Sequence, residues 1–220
     1  MHNRALKKTV RELLLREEMD TVLEQLYAMN LRRVINPLFS FFCSGDELLR
    51  WRAVTAAGAV ISKMTQRRVE DARIMMRRLM WTLNDESGGI GWGSPEAMAE
   101  TMARSAVLTK EYAAIFASYL NPAGNYLEHA ILQRGVLWGA SRLARSRGAA
   151  AVRTAPFLGA FMESHDPVHR GLATRCARAL APFTAVPIPQ HILADETIIR
   201  LYTGKKFLDI PICRLATDNL

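Results

Sequence analysis

Apolar residues recur at intervals of three and four along most of this chain, and this spacing is the strongest constraint on its fold. The first clear stripe begins after residue 46, and a second spans residues 66–84. The two stripes consist of Leu49, Ala53, Ala57, Val60 and Met64, and of Val69, Ala72, Met76, Met80 and Leu83. No alternation of period two competes with them before residue 190. The pattern therefore predicts an all-α fold for most of the chain.

Further helices are predicted on both sides of these two stripes. Residues 1–28 favour one or two helices, with a restart at Asp20, and turn residues such as those at 121–125 and 164–167 separate the later ones. The remaining predicted helices cover residues 31–43, 95–108, 110–120, 125–146, 153–163 and 167–181.

The last forty residues have a different pattern. Prolines interrupt the helical spacing, and two β-rich runs at 197–202 and 207–212 flank a glycine-containing turn at 203–206. We expect a β-hairpin there, with a final short helix at 195–203 as the alternative. The predicted domains are a helical domain at 1–182 and, at 183–220, a proline-containing linker and hairpin docked on it.

A degenerate repeat relates two of the predicted helices. The segments DELLRWRAVTAAGAVI (46–61) and DPVHRGLATRCARAL (166–180) each place an arginine, Arg50 or Arg170, four residues after an aspartate. The stretch around Arg134 resembles these two segments. The length of the repeat is then about 36–44 residues. The chain resembles HEAT and armadillo repeat proteins. This resemblance implies an α-solenoid of stacked helix hairpins that presents a concave face to a partner, with the aspartates and arginines serving as caps and packing contacts.

Charge and composition exclude some classes of protein. The net charge is +8, carried mainly by arginine, and residues 81–133 are acidic between two basic flanks. Arginine suits phosphate contacts, so nucleic acid is an alternative partner. No apolar run approaches the roughly 18 residues of a membrane helix, and the polar N-terminus does not resemble a signal peptide. We expect a cytoplasmic protein that does not contact membranes.

The three cysteines predict neither a disulfide framework nor a cysteine zinc site. Cys43, Cys176 and Cys213 are far apart in the sequence and form no CxxC pair. Reduced, mostly buried thiols are the expectation.

The segment 81–96 differs from the rest of the chain. It places two tryptophans, several acids and four glycines between two predicted helices, where a repeat hairpin needs only a few linking residues. It is similar to the signature of an uncharacterised HEAT-like family of sulfate-reducing bacteria, which implies no activity. One interpretation is a compact structural loop, and the other is a recognition site. The candidate contact residues are Trp81, Asn84, Asp85, Glu86, Ser87, Gly88, Gly89, Trp92 and Glu96.

The sequence favours a non-catalytic HEAT-like scaffold that binds a protein or peptide partner through a surface including residues 81–96. Trp81 and Trp92 would be apolar anchors, and Asp85 and Glu86 would meet a basic group. No cofactor, metal ion or catalytic residue is predicted, and the oligomeric state is left open.

Two alternatives remain. The first is a nucleic-acid-binding protein or an enzyme resembling HEAT-fold DNA glycosylases, using arginine faces, tryptophans and Asp85. The second is a small-molecule or metal-binding protein that uses Asp85, Glu86, Glu128 and His129. HEAT-like di-iron hydroxylases use repeated His-Glu pairs, whereas this chain has one reversed pair.

Overall fold

The computed structural model describes residues 3–16, 18–84, 91–203 and 206–217. The chain divides into two compact units, Met1–Ser105 and Ala106–Leu220, here called the N-terminal and C-terminal units. Both are mostly helical, as the apolar spacing predicts, and a two-stranded antiparallel sheet lies near the C-terminus. No helix in the described part of the chain is long and apolar enough to cross a membrane.

The N-terminal unit is built around a central helix, α4. This helix packs most extensively on α6 and α3, and it also contacts α1, α2 and α5. Twelve of its eighteen residues are buried, because neighbours cover it on several sides. The helices of this unit are α1 (Asn3–Leu14), α2 (Met19–Ala28), α3 (Leu31–Ser40), α4 (Glu47–Met64), α5 (Val69–Leu83) and α6 (Ser94–Arg104).

The predicted start of α4 is confirmed in detail. Asp46 is its N-cap, and the side-chain oxygen accepts a hydrogen bond from the Leu49 amide at 3.0 Å. Further along α4, Gly58 permits a close approach of α6, since a Cβ atom there would lie 2.6 Å from the Cβ of Glu100. Glu100 is buried and pairs with Arg104 at 2.7 Å.

The C-terminal unit is organised by α8 and α10, which pack on each other more extensively than any other pair of elements. Helix α7 packs on α8, and α9 and α11 pack on α10. One short 3-10 helix, Val152–Thr154, precedes α9, and another, Gln190–Ala194, follows the prolines at 182–189. The elements are α7 (Ala106–Ser118), α8 (Ala130–Ala151), α9 (Ala155–Met162), α10 (Pro167–Leu180), β1 (Ile198–Tyr202), β2 (Phe207–Pro211) and α11 (Ile212–Thr217).

Acids and arginines link successive elements of this unit. Asp166 caps α10 by accepting from the Val168 amide at 2.9 Å, and its second oxygen accepts from Arg134 of α8 at 2.8 Å. Arg170 of α10 donates in turn to Asp195 at 2.9 Å. The capping and packing roles predicted for Asp166 and Arg170 are therefore confirmed.

The predicted hairpin is confirmed, and the alternative of a helix at 195–203 is wrong. Strands β1 and β2 pair antiparallel, with Arg200 opposite Asp209. The strands also contact α10 and α11. Trp138 of α8 is 3% exposed, and its indole N–H donates to the Tyr202 carbonyl at 2.8 Å. This hydrogen bond ties β1 to the main helix of the unit.

Trp138→Phe is expected to lower the free energy of unfolding by about 1–3 kcal/mol, because it removes this hydrogen bond and part of a buried ring. Hydrogen exchange should show that the β1 amides lose protection more than those of α4. Equal protection of β1 in the two proteins would contradict the assigned role of the indole.

Several predicted boundaries need correction. The helix expected at 125–146 begins at Ala130, because His129 caps it by accepting from the Ile131 amide at 3.2 Å. It extends to Ala151 across a break at Arg147, where φ is −142° and ψ is 48°. The short helix α11 was not predicted. All three cysteines are free, but only Cys176 is buried; Cys43 is exposed and Cys213 is half-buried.

Candidate functional site

The outer face of α5 carries the most exposed tryptophan among the described residues. Trp81 is 77% exposed, and Ile74, two helical turns earlier, is 45% exposed. Arg77 and Arg78 lie between them and are also exposed. We call these four residues the α5 face. Buried hydrophobic residues are ordinary in proteins, whereas an exposed tryptophan flanked by a second apolar side chain is informative about binding.

The opposite side of α5 explains why these side chains point outward. Ala72, Met76, Leu79 and Leu83 are buried and follow the helical spacing of the core stripe. Ile74 falls off that stripe, as do both arginines. The spacing therefore fixes the direction of Ile74 and Trp81, and no part of the N-terminal unit that the structure describes covers them.

Two fixed contacts hold Arg78 in place. Its guanidinium donates to the Asn36 side-chain oxygen at 2.6 Å and lies 4.9 Å from the centre of the Phe39 ring. Arg77, by contrast, pairs with Glu70 at 2.6 Å. In the described part of the chain Arg78 has no carboxylate partner, so its positive charge on the α5 face is not neutralised.

A groove between α1 and α3 adjoins the α5 face at Asn36, which lines the groove and accepts the hydrogen bond from Arg78. Its volume is about 310 Å³, and its rim carries the exposed cations Lys7, Arg32 and Arg33. Arg32 forms an ion pair with Asp71 of α5. The pair and its hydrogen bonds raise the pKa of Arg32 and lower the pKa of Asp71, in each case mainly through the side-chain hydrogen bond. The rim of the groove therefore carries basic side chains, of which Arg32 is neutralised by Asp71.

The end of α5 and the start of α6 are joined by a short polar contact. The hydroxyl groups of Thr82 and Ser94 are 2.8 Å apart, and the Ser94 amide donates to the Gly91 carbonyl at 3.0 Å. Gly93 precedes α6 with φ of 73°, the left-handed conformation that glycine tolerates best. Pro95 then occupies the first turn of α6, where a proline is favoured.

Glu96 occupies an unusual position in that first turn. The residue is partly exposed, but its Oε2 atom is inaccessible to solvent and has no hydrogen-bond partner. Burial raises its pKa from 4.5 to about 7, and this outweighs the lowering by its own backbone amide and by Arg50. The carboxyl therefore changes its charge near neutral pH, at the end of the segment 81–96.

The structure places the predicted contact residues in different settings. Trp81 and Asn84 are exposed, whereas Trp92 and Glu96 are half-buried. Asp85, Glu86, Ser87, Gly88 and Gly89 lie outside the described residues. The sequence reasoning missed Ile74 and Arg78 as members of a surface with Trp81. Their position off the buried stripe is the signal that could have identified them.

Of the residues that suggested a metal site, His129 has a structural role, and Asp85 and Glu86 lie outside the described residues. His129 caps α8, and His169 is 5% exposed, with its Nε2 atom 3.0 Å from the Ala130 carbonyl and its Nδ1 atom 3.3 Å from the Ser164 hydroxyl. The carbonyl can only accept, so Nε2 donates to it. Among the described residues no group of three His, Cys, Asp or Glu is placed to hold a metal ion.

No protein-family model matches the chain, and no curated protein sequence matches it. The chain is similar in structure to an engineered protein, Northeast Structural Genomics Consortium target OR329, which was solved by crystallography. The TM-score is 0.47 and the sequence identity 14%, over 82% of this chain and 80% of that one. A likeness at this level carries no argument about function.

Proposed function

We propose that the N-terminal unit binds a partner protein through the α5 face, and that the bound segment is apolar and acidic. The observation that carries this proposal is the 77% exposure of Trp81. Tryptophan and arginine are the residues most enriched among those that dominate protein interfaces. Trp81 and Ile74 would enter apolar contacts, and Arg78 would pair with an acid of the partner.

The positive charge at the α5 face favours a partner segment that contains acidic residues. Arg78 has neutral partners, and the groove that it adjoins at Asn36 adds the exposed Lys7. The expectation that Asp85 and Glu86 meet a basic group stays a prediction, because both residues lie outside the described residues. The surface attracts acidic groups over about a Debye length, so binding should weaken with added salt.

The proposal includes a HEAT-like stacking of helix hairpins as the scaffold. Within the N-terminal unit, the packing of α1 on α3, of α2 on α4 and of α4 on α6 supports it. Within the C-terminal unit, the pairs Arg134–Asp166 and Arg170–Asp195 support it. Such scaffolds bind partners through extended surfaces that several stacked helices form together.

The proposal is tested by using the protein to capture its partner from a native lysate that has been treated with nuclease. Trp81→Ala is expected to reduce capture at least about thirtyfold, the loss of a dominant interface residue. Ile198→Ala is the matched control, since Ile198 is 65% exposed in the C-terminal unit, and it should capture as wild type does. Equal capture by wild type and Trp81→Ala would contradict the proposal.

Reversing the charge of Arg78 distinguishes binding of an acidic protein from binding of nucleic acid. Arg78→Glu should abolish capture of an acidic protein while leaving the helical circular dichroism signal unchanged. A species that is captured only from lysate without nuclease treatment, and that Trp81→Ala retains, would favour the nucleic-acid alternative instead.

A further inference from the structure

Helices α8 and α9 and the loops beside them border a cavity of about 560 Å³ in the C-terminal unit. Sites for small molecules commonly have volumes of about 300–1,000 Å³. Phe161 is 7% exposed and packs edge-on against the His169 ring, with 5.4 Å between the ring centres, so this part of the wall is fixed. Most of the wall is apolar, and the apolar side chains are Leu120, Pro122, Pro156, Phe157 and Phe161.

Gln133 of α8 is a buried polar side chain that lines this cavity. It is 7% exposed, and its amide nitrogen donates to the Leu127 carbonyl at 2.8 Å and to the Tyr126 hydroxyl oxygen at 2.9 Å. A carbonyl can only accept, so these two bonds fix the orientation of the amide group and use both of its N–H donors.

The amide oxygen of Gln133 is left to accept a further hydrogen bond. It accepts none from the part of the chain that the structure describes, and it is not among the solvent-inaccessible atoms there that lack a partner. The oxygen of a buried residue that lines the cavity is therefore accessible. Buried polar groups are rarely left without a partner, so this oxygen indicates a ligand group that donates to it.

Tyr126 places a donor beside this acceptor. Its hydroxyl oxygen accepts from Gln133, and its own proton donates to no group of the described chain. A tyrosine hydroxyl can donate and accept at the same time. Because the Tyr126 hydroxyl is bonded to the amide group that carries the free oxygen, the cavity presents one donor and one acceptor next to each other.

The lining indicates an uncharged ligand. No lysine or arginine lines the cavity in the part of the chain that the structure describes, so an anionic group would meet no permanently charged partner. Glu163 also lines the cavity, but it is exposed and its carboxylate lies 3.8 Å from His191. A neutral molecule can use the apolar walls and the polar pair without a cost from an unpaired buried charge.

We propose that this cavity binds a small uncharged molecule that has a flat apolar ring and a cyclic amide at its edge. The amide N–H of the ligand donates to the Gln133 oxygen, and its carbonyl accepts from the Tyr126 hydroxyl. The ring contacts Phe157 and Phe161. A few well-placed polar groups in a mostly apolar pocket are enough to give specificity. This site goes beyond the proposed function and uses residues of the C-terminal unit alone.

Titration with 2-quinolinone, a flat bicyclic molecule with a cyclic amide, tests the site. Followed by NMR, it should bind with a Kd of about 0.1–1 mM, which is ordinary for so small a ligand. N-Methyl-2-quinolinone cannot donate a hydrogen bond and should bind about tenfold more weakly. Absence of 2-quinolinone binding, or equal affinity for the two compounds, would overturn the proposal.

Tyr126→Phe tests the donor without disturbing the core, because Tyr126 is 37% exposed and keeps its ring. It should weaken 2-quinolinone binding about tenfold. The matched control is Tyr27→Phe, at a half-buried tyrosine of the N-terminal unit, which should bind as the wild type does. Equal affinities of Tyr126→Phe and the wild type would contradict the assigned role of the hydroxyl and overturn the proposal.

A second variant tests the location of the site. Ala160 is an exposed residue of α9 that lines the cavity, so Ala160→Trp should fill it and abolish binding of 2-quinolinone. Ala114→Trp, at an exposed position of α7 away from the cavity, should leave binding unchanged. Circular dichroism would confirm that both variants are folded. Wild-type affinity in folded Ala160→Trp would show that 2-quinolinone binds elsewhere, which would overturn the proposal.

Discussion

Replacing Glu96 with glutamine is expected to stabilise the protein at pH 8 by roughly 2–3 kcal/mol, although the substitution adds no contact. The reason is the buried Oε2 atom, which has no partner when the carboxyl is ionised. Glutamine keeps a side-chain oxygen that can accept from the backbone amide and carries no charge. The measurement is the free energy of unfolding by urea at pH 5.5 and pH 8.

The direction of the pH dependence follows from the raised pKa of Glu96. Below about pH 4.5 the carboxyl is protonated in the folded and unfolded chain alike. Between 4.5 and about 7 the folded protein holds a proton that the unfolded chain has released, so stability falls as pH rises; above 7 the penalty is constant. The gain from Glu96→Gln should therefore be less than half as large at pH 5.5 as at pH 8. The exposed control Glu12→Gln should show no such difference, and an equal gain at both pH values would contradict this account.

Gly93→Ala is expected to destabilise the protein by about 2–4 kcal/mol. The added Cβ would occupy a backbone conformation with φ of 73° and would lie 2.9 Å from a methyl group of Val54 and 3.0 Å from the Phe42 ring. Both neighbours belong to the packed core, so they cannot move aside without loss. Urea unfolding measures the change.

Gly45→Ala is the matched control for this substitution. A Cβ at Gly45 would meet nothing within 4 Å, and its φ is not in the left-handed region. This variant should lie within about 0.5 kcal/mol of the wild type. Equal stabilities of Gly93→Ala and Gly45→Ala would show that the junction between α5 and α6 tolerates a side chain, contrary to the structure.

Local sequence signals predicted the helical class well. The stripe of α5 fixed its buried side, and the aspartates before α4 and α10 marked both N-caps, because each of these signals acts over a few neighbouring residues. The hairpin was also predictable from its turn and β-rich flanks. Signals of this kind need no knowledge of distant parts of the chain.

The burial of individual side chains depends on contacts between distant parts of the chain, so it was not predictable from the sequence. The sequence does not report how deeply each tryptophan is buried. Trp138 is 3% exposed and donates to the Tyr202 carbonyl of β1, whereas Trp81 lies off the buried stripe of α5 and is 77% exposed. The burial of Arg175 is likewise set by the packing of α8 on α10, which composition does not report.

The same limit applies to the candidate site. The sequence drew attention to residues 81–96 by their glycines, acids and tryptophans. The structure supports a surface that runs back along α5 from Trp81 to Ile74, and it gives that surface a positive charge through Arg78. A residue off the buried stripe is exposed by default, so only the folded unit shows which such residues form one face.

Site-specific photocrosslinking tests the partner proposal most directly. A benzoylphenylalanine placed at Trp81 and, as a control, at Ile198 would be irradiated in native lysate, and the products identified by mass spectrometry. We predict one protein crosslinked from position 81 alone, through a segment that contains apolar and acidic residues, with a yield that falls as salt rises. A pattern identical to that from position 198, or a product that is nucleic acid, would contradict the proposal.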